Sequence, residues 1–215
     1  LNACFIVFYI PSEYNIDIKQ SKDIAQMTKN IYIILTRSDT FISRLIGFLT
    51  KEPFTHASIA FDDSLDRMYS FARLNPKMPL PAGLKEENIH RGFYKNKGHI
   101  PCELLTFTVD ERTYWEAKDY INSMLMKRDK LRYSIAGLLL CKLGIKYEFR
   151  NHFFCSQFVS KVLAESCRMK LPKHSSLMHP SDLLYVSGVS PVYSGELEDI
   201  RTLTPPRYYT RRVGA

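Results

Sequence analysis

Two hydrophobic periods take turns along this chain, and the places where one replaces the other mark its elements. Ile31-Tyr32-Ile33-Ile34-Leu35 is a short apolar run rich in β-branched residues, as a buried strand requires. Ser38 or Asp39 can cap a following helix in which Phe41, Ile42, Leu45, Ile46 and Leu49 keep the 3.6-residue period, and Pro53 stops it. Phe54–Phe61 and Arg67–Ala72 are β-type runs around the polar link Asp62-Asp63-Ser64, which predicts a hairpin. The stretch 73–101 carries Pro76, Pro79, Pro81, Gly83, Gly92, Gly98 and Pro101 and reads as a long loop. Glu103–Val109 returns to strand character.

Helical period dominates from residue 110 to about residue 169. Asp110 caps a helix whose face is Tyr114, Ala117, Ile121, Met124 and Leu125, and residues 131–143 form a second around Ile135, Leu138 and Leu139. A third begins at Cys155 and runs to about Met169, with Phe158, Val159, Val162 and Leu163 as its stripe. Pro180–Leu184 reads as one capped turn and Pro191–Gly195 as a closing strand. Leu1–Ile10 is a strand or apolar arm ended by Pro11, and residues 11–29 are polar. The order β-α-β-β-loop-β-α-α-α-β, with strands joined by hairpins and segregated from helices, predicts an α+β fold. Residues 1–215 read as one domain: an arm over 1–29, a core over about 30–197 and a basic tail over 198–215.

Composition narrows the partners more than the fold. The formal net charge of +8 on 215 residues favours an anionic surface such as cell wall or membrane. No segment interleaves arginine with aromatics in a nucleic-acid motif, so no specific nucleic-acid partner is expected. Cys4, Cys102, Cys141, Cys155 and Cys167 are odd in number, widely spaced and without a CxxC pair, which argues for reduced thiols rather than a disulfide framework. No apolar run approaches the ~18 residues of a membrane span. Leu1–Ile10 has neither a basic flank nor a cleavage site to make it a secretory signal. These features point to a cytoplasmic or membrane-peripheral protein, with an upstream segment left open because residue 1 is leucine.

Cys155 opens its helix, where free N–H groups and the helix dipole favour a thiolate. The plain alternative is a small buried hydrophobe on a core helix. A nucleophilic cysteine needs a base, and His56 is the histidine that lies within a predicted strand, sharing a face with the small residues Ser58 and Ala60. A strand histidine satisfied by a neighbour is the plain alternative there. His90 and His99 fall in the long loop, and His174 and His179 lie beside prolines, as structural or exposed residues would. His152, Cys155, Cys167, His174 and His179 are metal-ligand types, but their spacing matches no compact zinc pattern. No glycine-rich phosphate loop is present. No metal or cofactor is therefore expected.

Cys155-Ser156-Gln157-Phe158-Val159 resembles the cysteine helix of NlpC-type papain-like hydrolases, and Thr55-His56-Ala57-Ser58-Ile59 resembles their histidine strand. The histidine precedes the cysteine, an inversion that resembles the circularly permuted branch, the YiiX/YebB-like hydrolases related to lecithin:retinol acyltransferase-like proteins. The resemblance covers about residues 30–197. It implies a permuted papain-like fold, a mostly antiparallel sheet or half-barrel packed against helices. It also implies a cysteine hydrolase with Cys155 as nucleophile, His56 as base and the Cys155 backbone N–H as oxyanion donor. The substrate would be a cell-wall peptide or a lipid-like acyl group. A non-catalytic binding module on that scaffold and a lipid acyltransferase are the alternatives.

The family's third residue orients the imidazole from the strand after the histidine strand. Here a two-residue turn would put Phe71 opposite His56, and a three-residue turn Ser70. Ser70 is the expected third catalytic residue, with a loop carboxylate, Glu86 or Glu87, as the substitute.

Overall fold

A computed structural model describes residues 28–37, 52–75, 78, 81–95 and 97–203. The N-terminal arm, the helix expected after Ser38 and the end of the basic tail lie outside the described residues. Eight strands and four α-helices occur in chain order within them. They are β1 (Thr28–Thr36), β2 (His56–Ala60), β3 (Met68–Arg73), β4 (Ala82–Glu87), β5 (Pro101–Asp110), α1 (Glu111–Met126), β6 (Arg132–Tyr133), α2 (Ile135–Lys142), β7 (His152–Phe153), α3 (Cys155–Lys161), β8 (Ser190–Glu196) and α4 (Leu197–Leu203). The expected α+β class is what forms: six strands make one open antiparallel sheet in the order β4-β3-β2-β1-β5-β8, with the helices packed on it.

The sheet is covered on both faces, and that explains why its central strand reads as continuous apolar sequence rather than as an alternation. Ile31, Ile33 and Leu35 point one way, into a core shared with Ala57, Ile59, Phe71, Leu105 and Phe107 of the sheet and with Ala117 and Ile121 of α1 and Phe158 and Val159 of α3. Ile34 points the other way, into a smaller core with Ala60, Leu65, Met68, Ile89, Tyr94 and Leu197. Each of the isoleucine, leucine, valine, methionine and phenylalanine side chains among them contributes about 1.5–3 kcal/mol by leaving water.

Partners move several boundaries away from those that local pattern predicts. β1 begins at Thr28, not Ile31, because β5 pairs with it along its whole length, from Thr28 opposite Asp110 to Thr36 opposite Cys102. The stretch 73–101 is not one long loop: β4 lies inside it as the sheet's edge strand, aligned with β3 from Met68 opposite Glu87 to Arg73 opposite Ala82. The link between β2 and β3 takes seven residues, 61–67, and not a two- or three-residue turn. The expected 131–143 helix starts only at Ile135, because Arg132 and Tyr133 pair with His152 and Phe153 instead. The expected basic tail begins later than residue 198, because 198–203 fold with Leu197 as α4 and bury Leu197 and Ile200.

Other expectations hold in detail. Asp110 caps α1, its carboxylate accepting the Thr113 backbone N–H at 2.8 Å. Pro180–Tyr185 is a 3-10 turn in which Asp182 accepts the His179 N–H at 2.8 Å. No helix among the described residues is long and apolar enough to cross a membrane.

Candidate active site at the start of the cysteine helix

Three devices fix Cys155. The short parallel pair of β6 and β7 is closed by backbone bonds from Arg132 N to Asn151 O and from Ser134 N to Phe153 O, both 2.9 Å. This holds the chain immediately before α3. Phe71 then packs between the rings of Phe153 and Phe158, at 5.2 and 5.4 Å, which seats the helix on the sheet. The Ser156 hydroxyl donates to Met178 O at 2.7 Å and ties the first turn to the segment before the Pro180 turn. Every residue from Cys155 to Ser160 is buried, and α3 runs on through a π-helical turn at Val162–Ser166 instead of continuing as α-helix to Met169.

His56 is the first residue of β2, so its ring lies at the end of the strand. Strand register puts His56, Ser58 and Ala60 on the same face as Met68 and Ser70 of β3 and Lys85 and Glu87 of β4. Glu87 reaches across β3 along that face. Its Oε2 accepts from His56 Nε2 at 2.8 Å and from the Ser58 hydroxyl at 2.8 Å, and Ser58 Oγ stands 3.2 Å from the same ring nitrogen. The Cys155 sulfur stands beside the His56 ring and the Tyr133 hydroxyl, close enough to shift the titration of both. With Nε2 taken by Glu87, Nδ1 is the ring nitrogen left for the sulfur.

This geometry corrects the third position. Ser70 does not meet the imidazole: its hydroxyl donates to Ala57 O at 2.6 Å and is fully buried. Extending the β2–β3 register, with Ala60 opposite Met68, places Ala72 beside His56, because the link is longer than either hairpin turn assumed. Ser70 matters by being small, since a larger side chain on that face would stand between Glu87 and β2. Phe71 is on the opposite face, against α3. Of the two acidic candidates, Glu86 is exposed and 3.8 Å from Arg67, whereas Glu87 is 8% exposed and bound to the histidine. Glu87 comes from a strand and not from a loop.

Electrostatics inside the cluster are those of an ion pair. Burial by itself would lower the His56 pKa, but the Glu87 charge, hydrogen bonds to Cys155 and Glu87 and the Cys155 charge outweigh it and raise it to about 10. Burial likewise works to raise the Glu87 pKa, and the His56 charge with hydrogen bonds from His56 and Ser58 brings it down. Tyr133 is held well above the usual phenol range by burial, the Cys155 charge and its bond to that sulfur. The site is therefore a buried imidazolium–carboxylate pair of His56 and Glu87 with the Cys155 sulfur beside it.

The backbone N–H of Cys155, the expected oxyanion donor, belongs to the first turn of α3. Its N-cap, Phe154, offers no side-chain acceptor to that turn. Sequence pattern misses Tyr133, because a lone tyrosine ahead of an apolar run carries no signal; only the pairing of Tyr133 with Phe153 brings it beside Cys155. The other histidines stay apart: His99 is exposed, His174 bonds to Ser176, and His179 lies 3.8 Å from Cys141. Among the described residues no group of three histidine, cysteine or acidic side chains could hold a metal ion. No protein-family model matches this chain, and no curated protein matches it either.

Proposed function

We propose that the protein is a cysteine hydrolase of the permuted papain-like kind, acting on an amide or ester bond. The observation that carries this reading is the chain of contacts Cys155–His56–Glu87, a nucleophile, a base and the carboxylate that orients the base. In the proposed reaction the Cys155 thiolate attacks the substrate carbonyl and forms a tetrahedral oxyanion. The His56 imidazolium gives its Nδ1 proton to the departing amine or alcohol, which leaves a thioester on Cys155. His56, now neutral, takes a proton from water as the water attacks the thioester, and the acid is released with the thiolate and the imidazolium regenerated. The Cys155 N–H and the Tyr133 hydroxyl are the donors assigned to the oxyanion. Glu87 keeps the ring turned toward the sulfur and balances its charge.

Iodoacetamide tests the reading without a known substrate. At pH 6 it should modify Cys155 ahead of Cys102, Cys141 and Cys167, because burial pushes each of those three thiols up to about 12. His56→Ala should remove that preference. Uniform labelling of all four, or a preference that survives loss of the histidine, would sink the proposal.

A further inference from the structure

The segment that leads out of the candidate site carries an apolar face turned to solvent. α2 buries Gly137, Leu138 and Cys141 on one side. On the other, Ile135, Leu139 and Leu143 recur every four residues and form one stripe, with Leu139 43% and Leu143 68% exposed. The chain then folds back, Ile145 N bonding to Leu140 O at 2.9 Å, and extends the exposed surface with Ile145 (49%) and Tyr147 (54%). Tyr147 and Phe149 meet edge to face at 4.6 Å, so this return is ordered by its own rings. Ile135 stands two residues from Tyr133, the tyrosine on the Cys155 sulfur.

Charge says what fits such a face. Between residues 127 and 147 the chain has six basic side chains, Lys127, Arg128, Lys130, Arg132, Lys142 and Lys146, and one acid, Asp129. Lys142 follows Ile135 by seven residues, so it lies on the exposed stripe, and Lys146 sits between Ile145 and Tyr147. Among the described residues neither lysine has an ion-pair partner. An aliphatic stripe flanked by unpaired lysines is poorly matched to bulk water and well matched to the headgroup boundary of an anionic bilayer.

We propose that the face formed by α2 and residues 143–147 docks on an anionic phospholipid membrane. Leu139, Leu143, Ile145 and Tyr147 enter the boundary, and Lys142 and Lys146 pair with lipid phosphates and carboxylates. The docking is independent of the reaction carried out at Cys155.

Sedimentation of the full chain with vesicles tests this. The wild-type chain should pellet with phosphatidylcholine–phosphatidylserine vesicles and not with phosphatidylcholine alone, and added salt should release it. Each basic residue near the surface is worth about a fivefold change in partition, so Lys142→Glu with Lys146→Glu should weaken binding at least about tenfold. Leu139→Asn with Leu143→Asn should weaken it to a similar degree while the circular dichroism stays that of the wild type. Cys155→Ala should bind as the wild type does, which separates a failure of docking from a failure of the proposed chemistry. Wild-type binding by both double variants, or no binding by the wild-type chain, overturns the proposal. So does a dimer in sedimentation equilibrium that Leu139→Asn with Leu143→Asn dissolves, since the face would then be a contact between two copies.

Discussion

Two cysteine–histidine pairs stand among the described residues, alike in residue types and in the approach of sulfur to imidazole but unlike in their surroundings. Cys155 begins α3, beside first-turn N–H groups, and its histidine is fixed from behind by Glu87 at 2.8 Å. Cys141 lies at the other kind of helix end, one residue before the last of α2, and stands 3.8 Å from His179. A helix C-terminus presents carbonyl oxygens, which disfavour a thiolate. Burial and then the Asp182 charge push the Cys141 thiol up to about 12. The acid nearest that second pair, Asp182, spends its oxygens on the His179 backbone N–H and on Lys173. Contact between sulfur and imidazole is therefore common to both pairs, while the carboxylate on the far ring nitrogen and the helix polarity belong to one.

Substitutions can break that comparison or sharpen it. The largest effect expected is from Cys155→Ala, which should abolish thioester formation with an activated acyl ester, a loss of at least about 10⁴-fold. Cys141→Ala should leave the rate within about twofold. Mass spectrometry of the acylated chain reads both. His56→Ala should lower turnover by about 10²–10⁴-fold, the usual worth of a positioned acid–base group. His179→Ala should leave turnover unchanged, and an equal loss in the two histidine variants would erase the distinction.

Glu87→Gln probes the carboxylate that only one pair possesses. Breaking a buried pair on one side costs about 3–5 kcal/mol of stability. The pH window is set by the two directions of shift. His56 has its folded pKa raised, to about 10, so its contribution is full below its ordinary value near 6.5 and is lost as pH climbs toward 10. Glu87 is shifted down, so its contribution is full above the ordinary carboxylate range and is lost on acidification through its lowered pKa. The melting-temperature gap between wild type and Glu87→Gln should thus be widest at about pH 5–6.5 and close toward both extremes. A gap independent of pH would mean that the glutamate stabilises by packing alone.

The smallest effect separates Ser70 from the site. Ser70→Ala removes the bond to Ala57 O and should cost about 1 kcal/mol in chemical denaturation, with turnover intact. A large rate loss there would restore Ser70 to the catalytic group.

Periodicity carried the central strand, the α1 cap at Asp110 and the cysteine-led helix, because each rests on interactions within a few residues. It also picked out His56 and Cys155, a strand residue and a helix-start residue whose settings are local. β4 is invisible to that pattern because its sequence, Ala82-Gly83-Leu84-Lys85-Glu86-Glu87, has little strand propensity; pairing with β3 makes it a strand. The expectation for Ser70 failed for a related reason. The facing register depends on the length of the β2–β3 link, and a seven-residue link is not encoded by two turn-favouring aspartates.

The chain's own pattern determined the set of elements, the α+β class and the two residues that head the candidate site, since spacing and capping act over one or two helical turns. Only the tertiary structure decided which groups complete that site. Glu87 is thirty-one residues from His56 and Tyr133 twenty-two from Cys155. They arrive through the edge pairing of β4 and the short parallel pairing of β6 with β7, contacts whose register no local pattern records.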